Sequence, residues 1–61
     1  MFIINNKGDI FNTDCIPEIT TSGDQVVAVF GNTLRPISHN SEDMTTIADG
    51  IRNGADYVEV N

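Results

Sequence analysis

Cys15 and His39 are the only thiol and the only imidazole in the chain, so a Cys–His dyad would have to be built from them. Such a dyad needs the two within hydrogen-bond reach and an oxyanion site beside them, and nothing in their spacing brings this about. Cys15, close to Pro17, reads as a small buried apolar residue. His39 reads as a solvated loop residue just ahead of a helix, with a pH-dependent contact as its secondary role. No catalytic residue is assigned, and the chain is not expected to be an enzyme.

The carboxylates are the more abundant chemistry. Nine acidic residues stand against Lys7, Arg35 and Arg52, for a formal net charge of -6. Glu42, Asp43 and Asp49 are expected to make an acidic helix face, extended by Asp14, Glu18 and Asp24 from neighbouring loops. Such a face reads as solvated surface that keeps a small chain soluble. Its sharper reading is a surface that imitates nucleic-acid phosphates for a basic protein. Metal binding is not expected. Glu42 and Asp43 are adjacent and do not face each other on a helix. The turns holding Asp24 and Asn32 lack the spaced acidic ligands of a calcium loop, and Cys and His are too few for structural zinc.

Net charge also sorts the partners. A chain this acidic is repelled by nucleic acid and by anionic lipid and is drawn to a basic protein surface. The expected partner is therefore a protein with a basic surface, met without direct nucleic-acid or membrane binding. Tyr57 is a candidate anchor, because a partly exposed tyrosine offers large contact area with few torsions to freeze. Arg35 marks a second candidate region, the sheet edge from Arg35 to Ser38. The partner-binding candidates are thus Glu42, Asp43, Asp49, Tyr57 and Arg35. A different chemistry would have Lys7, Arg35 or Arg52 contact a nucleotide phosphate at a subunit junction; no cofactor is otherwise expected.

The elements that must position these residues are short. Gln25 to Phe30 is a run of β-branched and aromatic residues that suits a central strand. Gly31-Asn32 supplies a tight hairpin turn. Thr33 to Ser38 returns antiparallel, at an edge or broken near Pro36, which has no N–H for a ladder. An N-terminal hairpin is expected from Phe2–Asn5 and Asp9–Asn12 around Asn6-Lys7-Gly8. Its adjacent apolar pairs, Ile3 with Ile4 and Ile10 with Phe11, imply burial on both faces, or a core on one and an interface on the other. Glu18-Ile19-Thr20 reads as a short strand before a Ser22-Gly23-Asp24 turn.

A helix is expected to start near Asn40 or Ser41, with Glu42 and Asp43 favoured in its first turn by the helix dipole. Met44, Ile47, Ala48 and Ile51 make one apolar stripe. Asn53-Gly54 stops it, and Gly50 allows close approach to a strand. Ala55 to Val60 closes the chain as a strand with Val58 and Val60 inward and Tyr57 and Glu59 outward. The expected fold is α+β, a mainly antiparallel sheet of four to five strands covered by one helix, in a single domain spanning residues 1–61.

Sixty-one residues bury little apolar surface, and the lone cysteine excludes an intramolecular disulfide. Self-association, as a homodimer, is the expected way to extend the core. Met1-Phe2-Ile3-Ile4 is too short for a signal peptide and lacks a positively charged start, so a cytoplasmic setting is expected.

The order of elements carries a resemblance. A short N-terminal hairpin, a Val-rich hairpin, a Ser41-Glu42-Asp43 helix start and the ending Ile51-Arg52-Asn53-Gly54-Ala55-Asp56-Tyr57-Val58-Glu59-Val60 resemble small uncharacterised proteins of phages and mobile elements in Gram-positive bacteria. The resemblance brings no catalytic residues. It implies a phage-encoded accessory protein that binds and inhibits a host protein, with an anti-defence role as one form. The rival readings are a structural or assembly module of a phage particle and a nucleotide-sequestering protein.

Overall fold

Short β-branched runs separated by glycine turns give six strands, and a computed structural model describing residues 1–61 sorts them into two three-stranded sheets. Strands β1 (Phe2–Ile4), β2 (Ile10–Asn12) and, at the end of the chain, β6 (Tyr57–Glu59) form the first, in the order β2-β1-β6. Strands β3 (Glu18–Ser22), β4 (Gln25–Phe30) and β5 (Thr33–Ser38) form the second, in the order β3-β4-β5. One helix, α1 (Asp43–Arg52), leads from β5 to β6.

The α+β class and the single helix agree with the sequence reading, whereas the single sheet of four to five strands is corrected to two sheets. The reason lies between β2 and β3. Asn12 accepts a hydrogen bond from the Asp14 N–H and starts a single 3-10 turn at Thr13–Cys15, and Pro17 follows. This segment has no ladder to offer, so the two hairpins are not joined edge to edge. Instead β6 returns to lie parallel to β1, pairing Phe2 with Tyr57, Ile3 with Val58 and Ile4 with Glu59.

The inner faces of the two sheets and one side of α1 meet in the core. Ile3 and Phe11 come from the first sheet, Val26, Ala28 and Ile37 from the second, Ile47 from the helix and Val60 from beyond β6. Ile3 is opposite both Phe11 and Val58 in register, so this row faces inward and its neighbours Phe2, Ile4, Ile10 and Tyr57 face outward.

In the β4–β5 hairpin, Gly31 turns the chain at φ 63°. Such a backbone is open to glycine without steric cost. Pro36 lies on the edge strand, as its missing N–H requires. The register slips beside it, Val27 pairing with Pro36 and Val26 with Ser38. Ile37 is the extra residue of this bulge, and two consecutive side chains, Ile37 and Ser38, are buried as a result.

Helix α1 is rolled away from the expected stripe. Asp43, Ile47 and Gly50 are its buried residues, Met44 and Ala48 flank them, and Ile51 is exposed. The cause is the contact with β6. A Cβ on Gly50 would lie 2.5 Å from Val58 Cγ1 and 2.9 Å from Met1 Sδ, so only glycine lets the helix come this close. The helix ends at Gly54 (φ 69°), where the N–H groups of Gly54 and Ala55 reach the carbonyls of Ile51 and Gly50. This is the double-bonded stop that glycine favours.

Gly50→Ala therefore sets two effects against each other. Alanine gains up to about 1 kcal/mol of helix propensity, while overpacking against a stiff valine costs about 1–3 kcal/mol. Clash is expected to win, with a net loss of about 1–2 kcal/mol in urea unfolding. Adding Val58→Ala is expected to recover part of that loss, and simple additivity of the two changes would show that no clash exists.

Candidate functional site

The first candidate surface is the outer face of the β2-β1-β6 sheet. Alternation places Phe2, Ile4, Ile10, Tyr57 and Glu59 on it, all exposed except the half-buried Ile4. Phe2 is 47% exposed, Ile10 66% and Tyr57 57%. Phe2 and Tyr57 are direct partners across the β1–β6 ladder, with Asn12 on the other side of Phe2, while Ile10 lies further along the same face opposite Ile4. Glu59 on the same face and exposed Asp56 at its margin add negative charge. Tyr57, singled out from the sequence, is placed here in the open.

The acidic helix face is smaller than expected. Glu42 is exposed, and Asp49 is exposed but pairs with Arg52 at 2.9 Å, a surface bridge that contributes about 1 kcal/mol or less. Asp43 is not on that face. It is buried, and its Oδ2 accepts hydrogen bonds from Ser38 Oγ at 2.5 Å, from the Asn61 N–H at 3.0 Å and from Asn61 Nδ2 at 3.4 Å. Asp43 thus joins β5, the start of α1 and the residue after Val60, a structural role that removes it from a docking surface. Asn40 accepts the Glu42 N–H through Oδ1 at 3.0 Å and so organises the turn before the helix.

Cys15 is exposed on the 3-10 turn rather than buried, because that turn contributes no side chain to the core. His39 is also exposed. Its Nδ1 lies 3.1 Å from Gln25 Nε2, an exposed contact between the start of β4 and the residue after β5.

The second candidate site is a cleft of about 150 Å³ between the Asn5–Asp9 turn and β5. Lys7, Arg35 and His39 line it together with Asn6, Asp9 and Asn61. Of the three basic residues only Arg52 has a carboxylate partner; Lys7 and Arg35 have none. The Arg35 guanidinium carbon is 5.7 Å from the centre of the Phe11 ring, within range of a cation–π contact.

Behind the cleft, buried Asn5 builds the wall. Its Oδ1 accepts the N–H groups of Lys7 (3.1 Å) and Asp9 (2.9 Å), and its Nδ2 donates to the Ile37 carbonyl (3.0 Å) and more loosely to Asp9 Oδ2 (3.3 Å). The hydrogen-bonding roles of buried Asn5 and Ser38 escaped the sequence reading. The signal available for Asn5 was its place just before Lys7-Gly8, where an Asx side chain closes a turn on backbone two residues ahead.

No helix is long and apolar enough to cross a membrane. In comparisons with protein families, with curated proteins and with solved structures, nothing matches this chain.

Proposed function

We propose that this chain is a non-enzymatic binding protein, a phage or prophage accessory factor that holds and inhibits a host protein inside the host cell. The observation that carries the binding role is the exposed register pair Phe2–Tyr57, with exposed Ile10 further along the same outer face of the first sheet. Large rings grouped on a rigid strand layer supply apolar area at low entropic cost. Glu59, Asp56 and a net charge of -6 favour a basic partner surface around that apolar centre. The phage setting rests on the resemblance of the sequence.

Affinity capture from host lysate, run in parallel with the parent chain and Tyr57→Ala, tests this reading. One stoichiometric basic protein is expected with the parent, and its recovery is expected to fall at least tenfold with Tyr57→Ala, since a central tyrosine costs about 2 kcal/mol when truncated. Tyr57 is mostly exposed, so the fold should survive the change. Equal recovery by both chains would remove the face from consideration. A dimer that Tyr57→Ala splits, seen by sedimentation, would reassign the face to self-association.

A further inference from the structure

We propose that the cleft between the Asn5–Asp9 turn and β5 binds a small doubly charged oxyanion of the phosphate class. This site stands apart from the aromatic face and does not depend on it. The starting observation is a mismatch of charge. The chain has nine carboxylates and three basic side chains, yet Lys7 and Arg35 form no ion pair, and both line the same small cleft. Two cations left without a partner at one concavity form a local positive site in a negative field.

The donors there suit an oxyanion. Arg35 presents a planar fork that matches phosphate oxygens two at a time, and its position over Phe11 restrains the guanidinium before any ligand arrives. Lys7 adds a mobile point charge from the turn whose backbone Asn5 holds. His39, with Nδ1 turned to Gln25, has Nε2 without a hydrogen-bond partner in the chain. The side-chain amide of Asn6 at the rim forms no hydrogen bond within the chain, whereas that of Asn61 is already turned to Asp43. Asp9 is the only acidic side chain in the lining: its carboxylate accepts loosely from Asn5 Nδ2, while the Asp43 carboxylate behind Ser38 and Asn61 is taken up by their hydrogen bonds.

Size decides the ligand class. At about 150 Å³ the cleft is below the roughly 300 Å³ at which pockets begin to enclose a drug-sized molecule. It accommodates a single anionic group, and a larger molecule would leave the rest of itself outside. Arg52, bound to Asp49 on the helix, takes no part.

Nitrogen-15 NMR titration of the intact chain with sodium phosphate, against sodium chloride at matched ionic strength, is the direct test. Saturable shifts are expected for amides of residues 5–9 and 35–39 with phosphate and not with chloride. Arg35→Gln and Lys7→Gln are each expected to weaken binding about tenfold, and Asp9→Asn to tighten it severalfold. Lys7 is on an exposed turn, so Lys7→Gln decides the matter if Arg35→Gln disturbs the packing over Phe11. Linear, unsaturated shifts, equal shifts with chloride, or unchanged affinity in Lys7→Gln would overturn the proposal. Acetate at matched ionic strength binding as tightly as phosphate would overturn the assignment of the ligand class.

Discussion

Asp43→Ala is expected to lower the unfolding free energy by about 2–3 kcal/mol, because it leaves the buried Ser38 hydroxyl and the part-buried Asn61 N–H without their charged acceptor. The expected total for 61 residues is only on the order of 3–9 kcal/mol, so the variant should be largely unfolded in mild urea. Ser38 Oγ has a single proton, and the 2.5 Å contact gives it to Asp43 rather than to the Asn40 carbonyl at 3.2 Å. The same hydroxyl accepts the Asn40 N–H at 3.0 Å, so one carboxylate orders the whole approach to α1.

Asp43→Asn preserves the shape and one acceptor but sacrifices the charge, and about half of the alanine deficit is expected. Ser38→Ala with Asp43→Ala should cost less than the sum of the single changes, since each removes the same bond. A urea midpoint for Asp43→Ala equal to that of the parent would show that the carboxylate makes no net contribution to stability, its place at the helix start included.

Asp43 also shows where sequence reading stops. An acidic residue in a first helical turn is explained by the dipole alone, and its partners Ser38 and Asn61 are not neighbours in any local window. The strands with local signals were legible to the residue: Gln25–Phe30 and Thr33–Ser38 follow from a β-branched run, a Gly-Asn turn and an edge proline. The alternation of Tyr57, Val58, Glu59 and Val60 also placed each side chain on its correct face. What local pattern could not contain was the parallel return of β6 to β1. That pairing joins the two ends of the chain, and with it the strands divide into two sheets.

The roll of α1 was hidden for a related reason. Hydrophobic spacing selects Ile51 for the core, but the contact with Val58 and Met1 selects the smallest residue, Gly50, and turns Ile51 outward. Of the candidate residues, Tyr57 could be placed from period-two alternation. The proximity of Lys7 to Arg35 could not, since their hairpins meet only through tertiary packing.

That meeting depends on Asn5, and Asn5→Asp is the substitution expected to damage it most for the least change in shape. The carboxylate still accepts the Lys7 and Asp9 N–H groups, so the turn can close. It cannot donate to the Ile37 carbonyl, which would then face a negative oxygen at the former 3.0 Å contact, with the Asp9 carboxylate beside it. A loss of about 3 kcal/mol is expected, against about 2 kcal/mol for Asn5→Ala, which removes the bonds without adding a buried charge. Stability measured in urea should therefore rank parent, then alanine, then aspartate, the reverse of the order that side-chain shape predicts. Acidification should narrow the gap between Asn5→Asp and the parent, because a protonated carboxyl recovers a donor for Ile37. A gap that holds steady as the pH falls would mean that Asn5 acts on the turn alone, and that the first hairpin and β5 are held together by the apolar core without it.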